Sequence, residues 1–233
     1  MTETILKRVA DHLEMLEKSG VDFILQTSSA KIQSEPALAS SQNRELSPKE
    51  GLLDLRTSVL KCTQCSELAD KRTNVVFGSG NARAQLVFVG EAPGHDEDLE
   101  GLPFVGRAGQ LLTKIIESIG LRRQDVFICN VLKCRPPGNR NPLPDEISNC
   151  APYLAKQLDL IRPKVICALG TFAAQTLLKT MSPISALRGK FYDFRGAKLI
   201  CTFHPAYLLR NPEEKKKVWE DMKMIRATLK EVL

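Results

Sequence analysis

The chain has 233 residues, of which 43% are hydrophobic and 26% are charged, so its composition is that of a globular protein able to bury a core. The net charge is +6, but residues 1–50 carry a balance of −2 and residues 51–233 a balance of +8. The second part therefore suits a polyanionic partner, although a solvated basic surface explains the charge equally well. The sequence contains no run of 18 apolar residues and no secretory signal, so we expect a cytoplasmic protein without a membrane span.

The first 50 residues differ in character from the rest of the chain. Residues 3–18 predict an amphipathic helix, because apolar side chains recur there at helical spacing. Residues 27–50 contain six serines, two prolines and no aromatic residue, which is typical of a flexible linker. We therefore expect a helix and tether over residues 1–50 and a globular domain over residues 51–233.

Within the globular domain, short apolar runs alternate with amphipathic segments. The predicted strands are residues 85–89, 125–132, 164–169 and 198–203, and the predicted helices are residues 108–119, 145–161, 171–179 and 213–233. This alternation favours an α/β fold whose mainly parallel sheet is covered by helices on both faces. Ligands of such sheets bind outside the carboxyl ends of the strands. Unusual residues stand at those ends: GEAPG after the first strand, Asn130 in the second, Gly170-Thr171 after the third and HPAYLL after the fourth.

Four of the seven cysteines suggest a metal site or an iron–sulfur cluster. Cys62 and Cys65 form a C-x2-C pair, and Cys134 and Cys150 follow far downstream. Four thiolates from separate segments can surround a zinc ion or a cluster, and the spacing does not distinguish the two. The other three lie within apolar strands, where we expect small buried residues: Cys129, Cys167 and Cys201.

Residues 90–109 form a glycine-rich segment directly after the first predicted strand. Its five glycines and two prolines constrain the backbone and let it approach a ligand closely. The segment is neither a dinucleotide fingerprint nor a phosphate loop, because G-x-G-x-x-G and G-K-[ST] are both missing from it. Taken alone, it predicts a ligand loop of low specificity.

Three segments together closely resemble the family-4 uracil-DNA glycosylases, which are iron–sulfur enzymes of the uracil-DNA glycosylase superfamily. These are GEAPGHDEDLEGLPFVGRAGQLL, NVLKCRPPGNRNPLPDE and HPAYLLRNP, and the resemblance covers roughly residues 52–230. It implies a three-layer α/β/α domain with a four-stranded parallel sheet. It also implies a monomeric, monofunctional enzyme that hydrolyses uracil from DNA, and a 4Fe–4S cluster on Cys62, Cys65, Cys134 and Cys150. Residues 1–50 lie outside the resemblance, and two alternatives stay open for them: an arm that binds a repair partner, or a disordered extension.

The same resemblance implies residues that recognise the base. Phe104 matches the aromatic residue that stacks on the flipped uracil, and Asn130 matches the amide that reads its Watson–Crick edge. Glu97 matches the acid that helps exclude the thymine methyl group. Leu208 and its neighbours match the loop that fills the gap left in the duplex. A carboxamide suits this reading role, because uracil offers an N–H donor and a carbonyl acceptor side by side.

Two further residues, with Asn130, are implied in the bond-breaking step, and Ala92 beside them is implied in binding the substrate. Glu91 matches an acid near the sugar and the attacking water, and His204 matches the histidine that faces uracil O2. A preorganised donor there stabilises the negative charge that develops on the leaving ring. Ala92 stands where some relatives carry an acidic water activator, so no strong general base is assigned.

Two other functions fit parts of the pattern. The first is a DNA-binding protein that holds uracil-DNA tightly or covalently instead of turning it over. A superfamily branch of this kind uses a histidine in an insert after the second motif, and CRPPGNRNPLPDE contains no histidine, which disfavours this alternative. A zinc-bound interaction domain with a vestigial cleft is the other alternative.

Basic residues that suit contacts to phosphates are Arg135, Arg140, Arg188, Lys190, Arg210 and residues 215–217.

Overall fold

The computed structural model describes residues 46–230, so the helix predicted over residues 3–18 and most of the predicted linker lie outside the described residues. The first described helix, α1 (Pro48–Leu60), begins inside that predicted linker. Ser47 caps it: its hydroxyl accepts from the backbone N–H of Glu50 at 3.3 Å, and the Glu50 carboxylate accepts from the Ser47 N–H at 2.9 Å. This reciprocal capping box starts the helix three residues before the predicted boundary of the domain.

The centre of the fold is a sheet whose strand order is β1-β3-β2-β4-β6-β5. The strands are β1 (Ser79–Gly80), β2 (Leu86–Gly90), β3 (Phe127–Asn130), β4 (Val165–Leu169), β5 (Phe191–Phe194) and β6 (Ala197–Thr202). The four inner strands are parallel, and the two edge strands pair antiparallel with their neighbours. The prediction of an α/β fold with four parallel strands is confirmed.

The helices cover both faces of this sheet. After α1 they are α2 (Ser66–Lys71), α3 (His95–Glu100), α4 (Arg107–Ser118), α5 (Pro144–Ile161), α6 (Thr171–Leu178), α7 (Ile184–Leu187), α8 (Pro205–Arg210) and α9 (Lys215–Lys230). Apolar residues of α1, α5 and α6 pack on one face, and those of α4 and α9 pack on the other. None of the helices within residues 46–230 has the length and apolar character that a bilayer span requires.

Side-chain alternation in the strands explains the two cores. In β2, Leu86 and Phe88 join one apolar cluster, whereas Val87 and Val89 join the other, and all four are buried. Successive strand residues point to opposite faces, so a strand covered on both sides is a continuous apolar run. The three strand cysteines obey the same rule and are 1% exposed or less: Cys129, Cys167 and Cys201.

The sequence analysis missed the two edge strands. β1 has only two residues, Ser79 and Gly80, and therefore carries no apolar run. β5 joins β6 through Arg195 and Gly196, which both have positive φ (51° and 84°). A two-residue turn with positive φ at both positions is the favoured hairpin connection, so the Arg-Gly pair was the signal that could have revealed β5.

Candidate functional site

A cavity of about 490 Å³ opens at the carboxyl edge of the sheet. Gly90 ends β2 and Asn130 ends β3, and these two residues pair directly across the parallel strands. His204 follows β6 at the same edge. Gly170 lies behind it, since a side chain on Gly170 would lie 3.0 Å from His204 Cβ. The lining residues are Glu91, Ala92, Pro93, Gly94, Glu97, Phe104, Ala108, Asn130, Pro136, Asn139, Arg140, His204, Ala206, Tyr207 and Arg210.

Asn130 presents an unused hydrogen-bond acceptor to this cavity. The residue is 1% exposed, and its Oδ1 atom has no hydrogen-bond partner. A buried carboxamide oxygen without a partner is costly, and such a group calls for a functional explanation. Gly90 makes room for it, because a Cβ there would lie 2.3 Å from Asn130 Oδ1 and 2.6 Å from Phe104 Cζ. The Asn130 amide and the Phe104 ring therefore meet over a residue that must lack a side chain.

A buried lysine supports Asn130 from below. Lys133 is 1% exposed, and its Nζ donates to the Asn130 carbonyl oxygen at 2.7 Å and to Gln157 Oε1 at 2.6 Å. The Gln157 amide in turn donates to the Phe77 carbonyl oxygen at 2.8 Å. Burial lowers the pKa of Lys133. Sequence reasoning missed this network, and its only signal was a lysine inside the apolar run NVLKC.

Phe104 and His204 form adjoining walls of the cavity. Their ring centroids are 5.5 Å apart with a tilt of 31°, and Phe104 is 6% exposed. The Phe104 backbone has a φ of +53°, a left-handed conformation that is rare for an aromatic residue. A side chain at Gly109 would overlap the Phe104 carbonyl oxygen at 1.9 Å, so α4 packs directly on this backbone.

The tautomer of His204 follows from its helix-capping contact. Its Nδ1 atom accepts from the backbone N–H of Ala206 at 3.1 Å, in the first turn of α8. A ring nitrogen that accepts carries no proton, so the neutral ring bears its proton on Nε2. Burial lowers the pKa of His204 to about 4, against the opposing influence of the Glu97 carboxylate. At neutral pH the imidazole is therefore an uncharged donor through Nε2.

The two acids of the site have different surroundings. Burial raises the pKa of Glu91, which lines the cavity beside Ala92. Glu97 uses one carboxylate oxygen to accept from Val105 N–H at 2.9 Å and Gly106 N–H at 3.1 Å. Its other oxygen accepts from Gly94 N–H at 3.1 Å. Glu97 thus holds the loop that carries Phe104 as well as lining the cavity.

The fold places the four predicted cysteine ligands in one region, each with a free thiol. Burial raises the pKa of Cys150 to about 11, and the nearby Cys134 and Cys65 thiols raise it further. Burial also raises the pKa of Cys134, on which Cys62 and Cys65 act in the same direction. These mutual influences show that segments far apart in sequence bring their thiols together. Within residues 46–230, no three His, Cys, Asp or Glu side chains are arranged to hold a single metal ion.

Polar side chains donate to the sulfur atoms of this region. Arg72 Nη1 donates to Cys134 Sγ at 3.1 Å, while its Nη2 donates to the Cys62 carbonyl oxygen at 2.9 Å. Asn149 Nδ2 lies 3.6 Å from Cys65 Sγ. Hydrogen bonds to thiolate sulfurs are among the features that tune iron–sulfur clusters, so the donor set and its surroundings fit such a group.

Comparison with known proteins assigns the family. The model of the uracil DNA glycosylase superfamily matches residues 77–223. A type-4 uracil-DNA glycosylase from Archaeoglobus fulgidus is 48% identical over 184 residues, which cover 76% of this chain and 92% of that protein. Another from Thermotoga maritima is 47% identical over 188 residues, covering 78% and 97%. The chain belongs to the uracil-DNA glycosylase superfamily.

Within the superfamily, the match is stronger to one type than to another. A type-5 uracil-DNA glycosylase from Pyrobaculum aerophilum is 28% identical over 187 residues, covering 66% of this chain and 82% of that protein. The type-4 relatives are markedly more similar. The resemblance recognised in the three sequence motifs is therefore confirmed.

The structure of this superfamily member shows how the predicted gap-filling loop around Leu208 is arranged. Leu208 is fully buried in the apolar cluster that it shares with α4 and α9, and its role in filling the gap stays a prediction. Its neighbours point outward: Tyr207 is 36% exposed and Leu209 is 44% exposed. Tyr207 also lines the cavity and packs on Phe203 with ring centroids 5.0 Å apart. The exposed side chains of this loop are therefore those on either side of the predicted residue.

Two arginines expected to contact phosphates are held by acids in this glycosylase-superfamily fold. Arg188 donates to both carboxylate oxygens of the buried Asp221, at 2.8 and 3.2 Å. Arg140 lines the cavity but pairs with Glu146 at 2.6 Å and with Glu67 at 2.7 Å. Arg188 is thus structural, whereas the exposed Arg210 beside the cavity keeps the character expected of a phosphate contact.

Proposed function

We propose that this protein is a monofunctional uracil-DNA glycosylase, which flips uracil out of DNA, hydrolyses its N-glycosidic bond and leaves an abasic site for base excision repair. The type-4 uracil-DNA glycosylases that it resembles over most of its length support this activity. The observation that carries the proposal is the unpartnered Oδ1 of Asn130, buried beside the Phe104 ring. A planar base with an N–H donor can stack on the Phe104 ring and donate to Asn130 Oδ1 at the same time.

Base binding follows from the walls of the cavity. A base within a duplex must leave the stack before an enzyme can act on it. Phe104 offers a rigid ring to the extruded base, and stacking of this kind stabilises it by about 1–3 kcal/mol. Asn130 Oδ1 accepts the N3–H of uracil, and the amide nitrogen donates to O4. Cytosine presents the opposite pattern, so an amide held in this orientation selects uracil.

Bond cleavage uses the other two polar walls. As the bond from uracil N1 to the sugar C1′ breaks, its electron pair passes to the uracil ring. The neutral His204 donates from Nε2 to O2 and stabilises that charge. Positive charge grows on the sugar meanwhile, and the Glu91 carboxylate offsets it and orients the water that attacks C1′. The attacking water loses a proton to solvent and the departing uracil anion takes one up, so the products are free uracil and an abasic sugar.

The cavity also explains why strand cutting is not expected. A glycosylase that cuts the strand by forming an imine needs an amine in contact with the sugar. Among the described residues, those that line the cavity include two arginines and no lysine. Lys133, the lysine of the second motif, donates instead to Asn130 and Gln157 beneath the pocket. The abasic site is therefore expected to remain uncut.

Uracil release from a labelled oligonucleotide tests the proposal. The products are separated on a denaturing gel with and without alkali, beside Asn130→Ala and a matched control, Asn81→Ala. Asn81 is exposed and lies outside the cavity. Cleavage only after alkali, retained in Asn81→Ala and lost in Asn130→Ala, is the expected result. A slow-migrating protein–DNA adduct would favour the DNA-trapping alternative. Intact DNA without an adduct would contradict the proposed glycosylase activity.

We further propose that Cys62, Cys65, Cys134 and Cys150 hold a 4Fe–4S cluster. The support is the free-thiol donor set, the mutual influence of the thiols and the donors on their sulfurs. When bound, the cluster supplies a cross-link between the segment before the sheet and the two segments after β3. None of the four cysteines lines the cavity, so the cluster would take no direct part in base cleavage.

Iron and sulfide analysis of protein purified without oxygen tests the cluster. We expect absorbance near 400 nm with close to four irons for the wild-type chain, and loss of iron in Cys62→Ala. Cys201→Ala is the matched control, because this buried strand cysteine lies outside the quartet. Stoichiometric zinc without sulfide would overturn the cluster in favour of a zinc site.

The role of residues 1–50 stays a prediction, as do the monomeric state and the cytoplasmic location. The capping box at Ser47 shows where to shorten the chain: removal of residues 1–45 keeps α1 whole, whereas a start at Leu52 would remove its first turn. We expect the shortened protein to release uracil at the wild-type rate. Loss of turnover by a folded, iron-loaded protein would show that the segment is required for activity.

A further inference from the structure

Phe104, the stacking residue, has a backbone conformation that an aromatic residue does not adopt without support. Its φ of +53° lies in the left-handed region, which glycine enters freely and residues with a Cβ atom do not. Such strain persists only where the surrounding structure holds it, and it is concentrated at functional sites. Glycine at this position would relieve the strain but would remove the ring. Something else must therefore hold the Phe104 loop, residues 101–106, in place.

One side of the loop is held by a carboxylate. Glu97 accepts from the N–H groups of Val105 and Gly106, the two residues that follow Phe104. Both bonds reach the same oxygen, Oε1, so they fix the direction in which the chain leaves the strained residue. Glu97 belongs to α3 and lines the cavity.

The other side is held by an arginine from a different part of the chain. Arg123 begins a 3₁₀ turn, Arg123–Asp125, between α4 and β3. Its Nη2 donates to the carbonyl oxygen of Pro103, the residue before Phe104, at 2.5 Å. Its Nη1 donates to the hydroxyl of Thr113 in α4 at 3.3 Å. Arg123 is partly buried and does not line the uracil cavity.

The two clamping side chains carry opposite charges on opposite sides of the strained residue. Burial lowers the pKa of Arg123, and the Glu97 carboxylate raises it, so the two groups interact across the loop. A guanidinium remains protonated at all pH values of interest. The Pro103 carbonyl and the two following N–H groups are thus held by charge-assisted hydrogen bonds, which are the stronger kind.

We propose that Arg123 is a positioning residue of the base-stacking platform: with Glu97 it holds the Phe104 backbone in its left-handed conformation, so that the ring is in place before uracil arrives. The inference rests on the proposed function, because it assigns to Phe104 the flipped base as its ligand. Arg123 acts through Phe104 and touches neither the base nor the sugar. Its loss weakens capture of the flipped base more than it slows the bond-breaking step.

Uracil release measured over a range of DNA concentrations tests the proposal, with KM and kcat determined separately. Arg123→Met keeps the length of the side chain and removes both hydrogen bonds. Arg123→Lys keeps one donor and is expected to restore part of the loss. Arg122→Met is the matched control, because the neighbouring Arg122 is exposed and its side chain pairs, among residues 46–230, with Asp125 alone. The melting temperature of each variant is recorded alongside.

We expect Arg123→Met to raise KM about 10-fold, within the range that stacking of one base supplies, with a smaller change in kcat. Arg122→Met should match the wild-type chain. The decisive measurement is a double-mutant cycle. In a Phe104→Ala background, Arg123→Met should change KM less than two-fold, because the ring through which Arg123 acts is already absent. A purely structural arginine would lower stability and activity equally in both backgrounds.

Three results would overturn the proposal. KM and kcat values for Arg123→Met equal to those of the wild-type chain would show that the clamp is dispensable. An equal effect of Arg123→Met in the Phe104→Ala background would show that Arg123 does not act through the ring. A fall in kcat with no change in KM would place its action at the chemical step. A wild-type protein that releases no uracil would overturn the proposed function and this inference together, which distinguishes that failure from the first three.

Discussion

The two residues expected to hold uracil reach the cavity in opposite ways. Asn130 ends a regular strand, pairs with Gly90 across the sheet and has Lys133 bound to its carbonyl oxygen. Phe104 lies on a loop without regular structure, in a strained conformation held by Glu97 and Arg123. A strand end is positioned by backbone pairing that the whole sheet supports, whereas a loop needs side chains dedicated to it. The residue expected to read the base is therefore positioned by the sheet itself, and the residue expected to stack on the base is held by the side chains of Glu97 and Arg123.

The contact between the two regions is the most sensitive point of the site. Gly90→Ala would place a methyl group 2.3 Å from Asn130 Oδ1 and 2.6 Å from Phe104 Cζ, so both must move. Since misplacement by about 1 Å can cost 100-fold in rate, we expect uracil release to fall by about 10². Single-turnover kinetics measure this loss. Gly120→Ala lies outside the cavity and is strained because Gly120 has a φ of +83°, so it is a control for a loss of stability alone. An active Gly90→Ala would show that the two walls do not meet as described.

Removal of the lysine beneath Asn130 tests the strand side of the comparison. Lys133→Met leaves two buried acceptors without a donor, the Asn130 carbonyl oxygen and Gln157 Oε1. We expect the free energy of unfolding to fall by about 1–3 kcal/mol, as measured by urea denaturation. Equal stability of Lys133→Met and the wild-type chain would exclude a supporting role for this network.

His204 makes the free energy of unfolding of the protein depend on pH. Its pKa is lowered to about 4 in the folded protein, so the unfolded chain, with a pKa near 6.5, binds more protons between those values. Stability therefore rises with pH from about 4 to about 6.5 and is fully present above that range. Because His204 as a whole residue is only partly buried, solvent screening reduces the effect, and we expect the free energy of unfolding to change by about 1–2 kcal/mol across this window. Chemical denaturation of the wild-type chain and His204→Asn at several pH values measures it, and identical profiles would contradict the buried neutral imidazole.

The smallest expected effect separates a DNA contact from a structural arginine. Arg210→Gln should weaken binding of DNA several-fold and reduce the magnitude of the salt slope by about one. Arg188→Gln should leave that slope unchanged and lower stability instead, since its partner is the buried Asp221. Titration of a labelled duplex at several salt concentrations, with a melting curve for each variant, distinguishes them. Equal salt slopes for the wild-type chain and Arg210→Gln would show that Arg210 does not contact a DNA phosphate.

Much of the strand-borne part of the site could be predicted from the sequence. The apolar run of β3 ends at Asn130, and the run of β6 is followed by His204, so parallel alternation brings both to one edge. The burial of Leu208 could not be predicted: within the six residues of α8, packing against α4 and α9 decides which apolar side chain turns inward. Because Tyr-Leu-Leu is a run of large apolar residues, the sequence does not show which of them is buried.

By itself, the sequence determined the α/β alternation, the cysteine quartet and the glycine-rich segment, because each depends on residue type and local spacing. Only the tertiary structure decided which charged residues are structural. Arg123, Lys133 and Arg188 all look like surface cations in the chain, yet each is bound to a group more than two residues away in sequence. The partner of such a side chain is set by which loops the folded sheet brings together, and no local pattern records that.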